Sequence, residues 1–320
     1  MAHVRIRRGW ELPEREAAPE SGFLNRREFI KKLGLGSIAA AGVLTGANRA
    51  LAFSEQSKDK TPGSLYPAKR NTKYVLDRPL TDEKLSTRYN NFYEFTTDKP
   101  RVADLVANFK IHPWTVEVTG LVAKTKVYDV DELIRKFPLE ERLYRHRCVE
   151  AWAMAVPWTG FSLKALIDFV QPTSKAKFVR FVSFNKPDEA PGMRTQSWYP
   201  WPYYEGLSLL EATNELAMLV TGVYGHALPK QMGAPIRVVV PWKYGYKSIK
   251  SIVKIEFTDN QPPTFWNDIA PNEYSFLSNV NPKVPHPRWS QAYERMIIDG
   301  ERRPTMPHNG YGEFVAHLYK

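Results

Sequence analysis

The chain has 320 residues, a formal charge of +11, 43% hydrophobic residues and a single cysteine. That apolar share sustains a packed core, while 25 prolines and 18 glycines argue for many turns and against long helices. One thiol excludes an intramolecular disulfide, and the scattered Lys and Arg residues form no stripe suited to nucleic acid.

The N-terminus comes first in chain order. "NRREFIKKLGLGSIAAAGVLTGANRALAF" places Arg26 and Arg27 ahead of Phe29 and Lys31, then a mildly apolar run from Leu33 to Leu44. The run is too short to span a bilayer, which takes about 20 apolar residues. It ends at Ala50-Leu51-Ala52, a small-residue cleavage site, so residues 1–52 read as a twin-arginine leader and the product as periplasmic. This route carries proteins already folded, which points to a prosthetic group loaded before export.

Residues 53–88, polar and spotted with Pro62, Pro67 and Pro79, read as an extended arm, and 89–320 as one domain. "PWTVEVTGLV" (Pro113–Val122) alternates like a strand. "VDELIRKF" (Val130–Phe137) has helical spacing behind a possible Asp129 cap, and "SLKALIDFV" (Ser162–Val170) predicts a second short helix capped by Ser162. Strands are expected over 176–184 and 215–224, and 236–242 with 248–257 predict a strand pair around "KYGYK". From Thr258 onward prolines and aromatics predict a long ordered wrap. Short strands mixed with short helices, without a βαβ rhythm, indicate an α+β domain.

Several chemistries are excluded. The histidines beyond the leader never fall at H-x-H or H-x-x-x-H spacing, and there is no G-x-S-x-G, Walker loop or C-x-x-C. What remains is Cys148 in "YRHRCVEAW" (Tyr144–Trp152). As a lone cysteine it is either a small buried hydrophobe or a metal-binding thiolate. Its neighbours Arg145, His146 and Arg147 favour the thiolate.

Four segments in order, "YNNFYEF" (Tyr89–Phe95), "FPLEERLYRHRCVEAWAMAVPWTGF" (Phe137–Phe161), "GAPIRVVVPWKYGYKSIKSI" (Gly233–Ile252) and "HPRWSQAYER" (His286–Arg295), carry a resemblance. They are similar to the catalytic subunits of periplasmic protein-methionine-sulfoxide reductases, molybdenum enzymes of the sulfite oxidase fold. The resemblance runs from Tyr89 to the C-terminus, and the leader suits the same family. It implies mixed β-sheets with short helices and long ordered loops. It also implies one molybdenum per chain, held by Cys148 and by molybdopterin without an appended nucleotide.

By the same resemblance the cofactor is bound by Asn90, Tyr93, Glu94, Ser183, Arg237, Ser248, Ile249 and Lys250. Buried phosphate calls for an Arg fork, a Lys charge, hydroxyls and backbone N–H groups. Glu150 is expected beside the metal, relaying protons or tuning it; otherwise it is a surface carboxylate paired with Arg147. The aromatic runs "SWYPWPYY" and "PWKYGY" either shape the pocket mouth or pack the core. Two positions depart from the family pattern: Met232 stands where Asn is usual, and Ser183 where Thr is frequent. The implied reaction is oxygen-atom transfer from free and protein-bound methionine sulfoxide to molybdenum, repairing oxidised periplasmic proteins. The implied partners are a haem-containing membrane subunit, fed by quinones, and the twin-arginine export machinery. Sulfite oxidation on the same fold and a non-catalytic periplasmic binding protein are the competing readings.

Overall fold

The computed structural model describes residues 65–320; the expected leader and residues 53–64 of the expected arm lie outside the described residues. Among the described residues thirteen strands run in chain order. They are β1 (Lys69–Arg70), β2 (Thr115–Gly120), β3 (Lys126–Asp129), β4 (Glu140–Arg147), β5 (Trp152–Ser162), β6 (Phe178–Ser183) and β7 (Tyr204–Ser208), followed by β8 (Met218–Val223), β9 (His226–Ala227), β10 (Arg237–Val239), β11 (Ile252–Thr258), β12 (Tyr293–Met296) and β13 (Arg302–Pro304).

They form two mixed sheets. The larger is organised by the long antiparallel hairpin β4–β5. β1 lies parallel against β4. Along the other edge of β5, β12 pairs in parallel at its start, and β8 pairs antiparallel at its end. The smaller sheet runs β3-β2-β11-β6-β7, with β2 and β11 parallel. Alternating burial along β2, β6 and β11 matches one face on the core, as their period-two pattern requires. Short helices sit between strands, so the domain is α+β.

Local chemistry explains the helices. Asp129 accepts hydrogen bonds from the backbone N–H of Asp131 at 2.9 Å and of Glu132 at 3.1 Å, starting the helix Val130–Arg135. The helix Leu163–Val170 buries Leu163, Leu166, Ile167 and Val170, one face at helical spacing. Ser162 occupies its N-cap without a side-chain hydrogen bond.

Two expectations need correction. Segments 236–242 and 248–257 do not form a strand ladder with each other, although the Val238 N–H donates to the Ile249 carbonyl and the Ile252 N–H to the Ile236 carbonyl: β10 joins β8 in the larger sheet, whereas β11 joins β2 and β6 in the smaller. A 3₁₀ turn at Gly245–Lys247 carries the chain from one sheet to the other. The region beyond Thr258 is not only a wrap, since β12 extends the larger sheet next to the β4–β5 hairpin. No helix among the described residues is long and apolar enough to cross a membrane.

Candidate active site

Three loops converge at one cavity of about 560 Å³: the tip of the β4–β5 hairpin, the segment 89–94 and the crossing segment 245–250. The hairpin tip presents Cys148, only 5% exposed. Its Sγ accepts from the Glu150 backbone N–H at 3.4 Å and lies 3.7 Å from both Asn91 Nδ2 and Glu150 Oε2.

Burial and the nearby Glu150 carboxylate push the free thiol up to about 12, against the lowering effect of the Glu150 N–H, Arg147 and Lys99. This corrects the expectation that Arg145, His146 and Arg147 favour the thiolate: of the three Arg147 alone acts in that direction, and it is outweighed. Arg145 turns away to Asp77 at 2.9 Å and to the Asn309 carbonyl at 3.0 Å. Burial, with the charges of Arg237 and Lys250, holds His146 neutral by pushing it down to about 3. Arg147 is engaged by Glu294, Gln291 and Thr305. A coordinated cation reverses the balance, because it deprotonates a ligating thiol outright.

Glu150 does not pair with Arg147. Its Oε2 accepts from Trp152 Nε1 at 2.9 Å and Asn91 Nδ2 at 3.1 Å, and lies 2.9 Å from Lys99 Nζ. Burial raises the carboxyl, but these donors outweigh it and keep it below the usual carboxylate range. Glu150 is therefore an ionised group beside the sulfur. Asn91 and Lys99 escaped the sequence reading. Asn91 adjoins the expected Asn90 in the same motif, whereas nothing local marks Lys99.

Opposite the thiol the wall is cationic. Arg237 is enclosed, and among the described residues no carboxylate lies within ion-pair distance of it. Its guanidinium donates to the carbonyls of Met232 and Ser248, each at 2.8 Å, and faces the Trp158 ring at 4.9 Å. Burial pulls its pKa down to about 9. Lys250 Nζ donates to the Asn91 carbonyl at 2.8 Å; burial and Arg237 push it down to about 7. Glu94, raised to about 7 by burial, answers that charge only in part.

Ser248 and Ile249 line the cavity, as do Tyr93 and Glu94. Ser248 Oγ accepts from the Val240 N–H at 3.2 Å. Gly233, at φ +99°, passes so close to Lys250 that a Cβ would stand 2.6 Å from its side chain. Ser183 is the exception among the expected binding residues. Its Oγ donates to the Lys250 carbonyl at 2.8 Å from behind the wall, so it shapes the crossing segment without lining the cavity.

The aromatic runs divide between mouth and core. Tyr199, Tyr203 and Tyr246 line the cavity, Trp242 is fully buried, and Trp198 is 71% exposed. Trp266 joins Tyr93 and Tyr274 at the rim, with ring centroids 5.2 and 5.3 Å apart.

This donor set fits a large anionic cofactor with a soft metal. Both polar atoms of the Asn90 side chain are buried on the cavity wall without a partner. Such orphans are costly unless a ligand satisfies them. The buried Arg237 charge is uncompensated, which suits phosphate. Among the described residues no group of three or more His, Cys, Asp or Glu could cage a metal. A metal at Cys148 would find no such cage among the described residues.

Comparison with known proteins agrees with this chemistry. Residues 103–266 match the oxidoreductase molybdopterin binding domain. The sulfane dehydrogenase SoxCD of Paracoccus pantotrophus aligns with a TM-score of 0.42 and 15% identity, over 69% of this chain and 57% of that one. The protein-methionine-sulfoxide reductase catalytic subunit MsrP of Burkholderia mallei is 50% identical over 316 residues, 98% of this chain and 94% of that protein. With half of all positions shared from end to end, and the molybdopterin domain spanning the cysteine hairpin, this chain belongs to the family of protein-methionine-sulfoxide reductase catalytic subunits.

Proposed function

We propose that this chain is the catalytic subunit of a periplasmic methionine-sulfoxide reductase, exported by the twin-arginine route and repairing oxidised proteins. Cys148 is the thiolate ligand, and Asn90, Tyr93, Glu94, Arg237 and the Ser248–Lys250 segment hold a molybdopterin without an appended nucleotide, one molybdenum per chain. Ser183 supports that segment from behind. Electrons come from a haem-containing membrane subunit.

When bound, the molybdenum cofactor supplies two-electron oxygen-atom transfer, taking a sulfoxide to a thioether. The chain's own part is positioning and proton handling. Glu150 Oε2, next to the sulfur, takes and returns a proton, and Lys99 Nζ at the rim connects it to solvent. The Tyr93, Trp266 and Tyr274 rings offer an apolar rim to the methylene and methyl groups of a displayed methionine sulfoxide.

One observation carries the reading: the only thiol of the chain shares a cavity with an orphaned amide and an unpaired buried arginine. The ionised Glu150, 3.7 Å from the sulfur, also favours a neutral sulfoxide over anionic sulfite.

The test is protein produced with molybdate, as parental and Cys148→Ser chains. Elemental analysis and parallel assays of methionine sulfoxide and sulfite form the readout. Parental protein should carry molybdenum and reduce the sulfoxide, and the variant should fall to background. Full activity in Cys148→Ser, or faster turnover of sulfite, overturns the proposal.

A further inference from the structure

The segment His286–Arg295, which holds Arg147 through Gln291 and Glu294, also grips the turn that carries the thiol. The tip of the β4–β5 hairpin is a three-residue loop, Val149-Glu150-Ala151. It is closed by Ala151 N–H to the Cys148 carbonyl and Cys148 N–H to the Trp152 carbonyl, both at 3.0 Å. Ala151 sits at φ +64°, a left-handed conformation costly for any residue with a Cβ and normally given to Gly or Asn. A strained turn persists only when its surroundings over-determine it.

The surroundings do so. The Val149 carbonyl receives two side-chain donors, Trp289 Nε1 and Gln291 Nε2, each at 2.7 Å. The Ala151 carbonyl receives the Arg295 N–H at 2.8 Å. The Cys148 carbonyl receives the Arg147 guanidinium, which is itself held by Gln291 Oε1 at 2.8 Å. Trp289 is fixed in turn by stacking on His286, with centroids 3.8 Å apart and planes 7° from parallel.

We infer that Trp289 and Gln291 are positioning residues that hold the Val149–Ala151 turn, and through it set Cys148 and Glu150 at the metal. The inference rests on Cys148 being the metal ligand. Groups that orient a ligand without touching the metal typically change activity or metal affinity by about 10–100-fold when removed.

Trp289→Phe keeps the ring over His286 and deletes one donor. Gln291→Glu keeps the acceptor for Arg147 and deletes the other, leaving the stacking untouched should Trp289→Phe not fold. Each is compared as holoenzyme with the parent, alone and combined with Ala151→Gly, which removes the strain. The readouts are molybdenum per chain, the electron paramagnetic resonance spectrum of the one-electron-reduced metal, and kcat and KM for methionine sulfoxide.

The expected result is a kcat about tenfold lower at unchanged KM, with a shifted spectrum. Ala151→Gly should shrink the loss from either substitution, because a relaxed turn needs less holding. Unmoved kcat and spectrum overturn the inference. So does a rise in KM alone, which would make Trp289 a substrate contact, or the absence of any relief from Ala151→Gly. A parental protein without molybdenum overturns the ligand assignment and this inference together. A loaded parent with unaffected variants overturns this inference only.

Discussion

Arg147 and Arg237 are both enclosed, yet they sit in opposite electrical circumstances. Arg147 shares Glu294 with Arg78 and hydrogen-bonds to Gln291 and Thr305. Among the described residues Arg237 donates only to carbonyls and faces an indole ring. A buried charge with a partner holds scaffold together; one without a partner is cheap to keep only if a ligand arrives to neutralise it. The contrast separates the side of the cavity proposed to set the thiol from the side proposed to receive an anion.

Breaking the paired side should have the largest effect. Glu294→Leu leaves Arg147 without a carboxylate partner and Arg78 with Asp77 alone, making Arg147 resemble Arg237, and should cost about 3–5 kcal/mol in thermal or denaturant unfolding. A loss below about 1 kcal/mol would mean that the pairing carries no weight. On the other side, Arg237→Met should shift the stability of protein produced without molybdate by no more than about 1 kcal/mol. The relief of a buried charge offsets two lost hydrogen bonds to carbonyls. Molybdenum and pterin content should nevertheless collapse in the same variant, read by elemental analysis and pterin fluorescence.

The smallest effect belongs to the outer end of the paired network. Asp77 touches Arg78 and Arg145, each at 2.9 Å, with 43% of its side chain exposed. Burial raises its carboxyl, but hydrogen bonds from Arg78 and Arg145 and their charges outweigh it, so the folded pKa lies below the ordinary value. Its contribution is thus present above the unfolded pKa of about 4 and is lost as pH falls toward the folded one. Asp77→Asn should cost less than about 1 kcal/mol near neutrality, given its exposure. The gap in melting temperature from the parent should close on acidification.

Much of this was legible in the residues, and the failures have physical causes. Asp129 announced its helix because a carboxylate before an amphipathic run caps it, and Thr115–Gly120 alternated as a half-buried strand must. The β4–β5 hairpin, which builds the site, was not predicted as strands. β5 is buried on both faces and so shows no alternation, and it contains Pro157 and Gly160. β4 reads as a charged loop because Glu141, Arg142 and Arg147 are buried. Cys148 was legible through its singularity and the motif around it. Asn91, Lys99 and Trp289 were not, since they reach the thiol turn from segments whose approach only the folded chain decides.

The grip on the Val149 carbonyl spans 140 and 142 residues of chain. A contact of such separation forms late, because the loop between must be closed first. During synthesis the thiol emerges well before the indole and amide that steady it, and a nascent polypeptide halted in between exposes a cysteine with no defined direction. If Cys148 holds the metal, a settled thiol turn for it to load onto waits until Trp289 and Gln291 have been made.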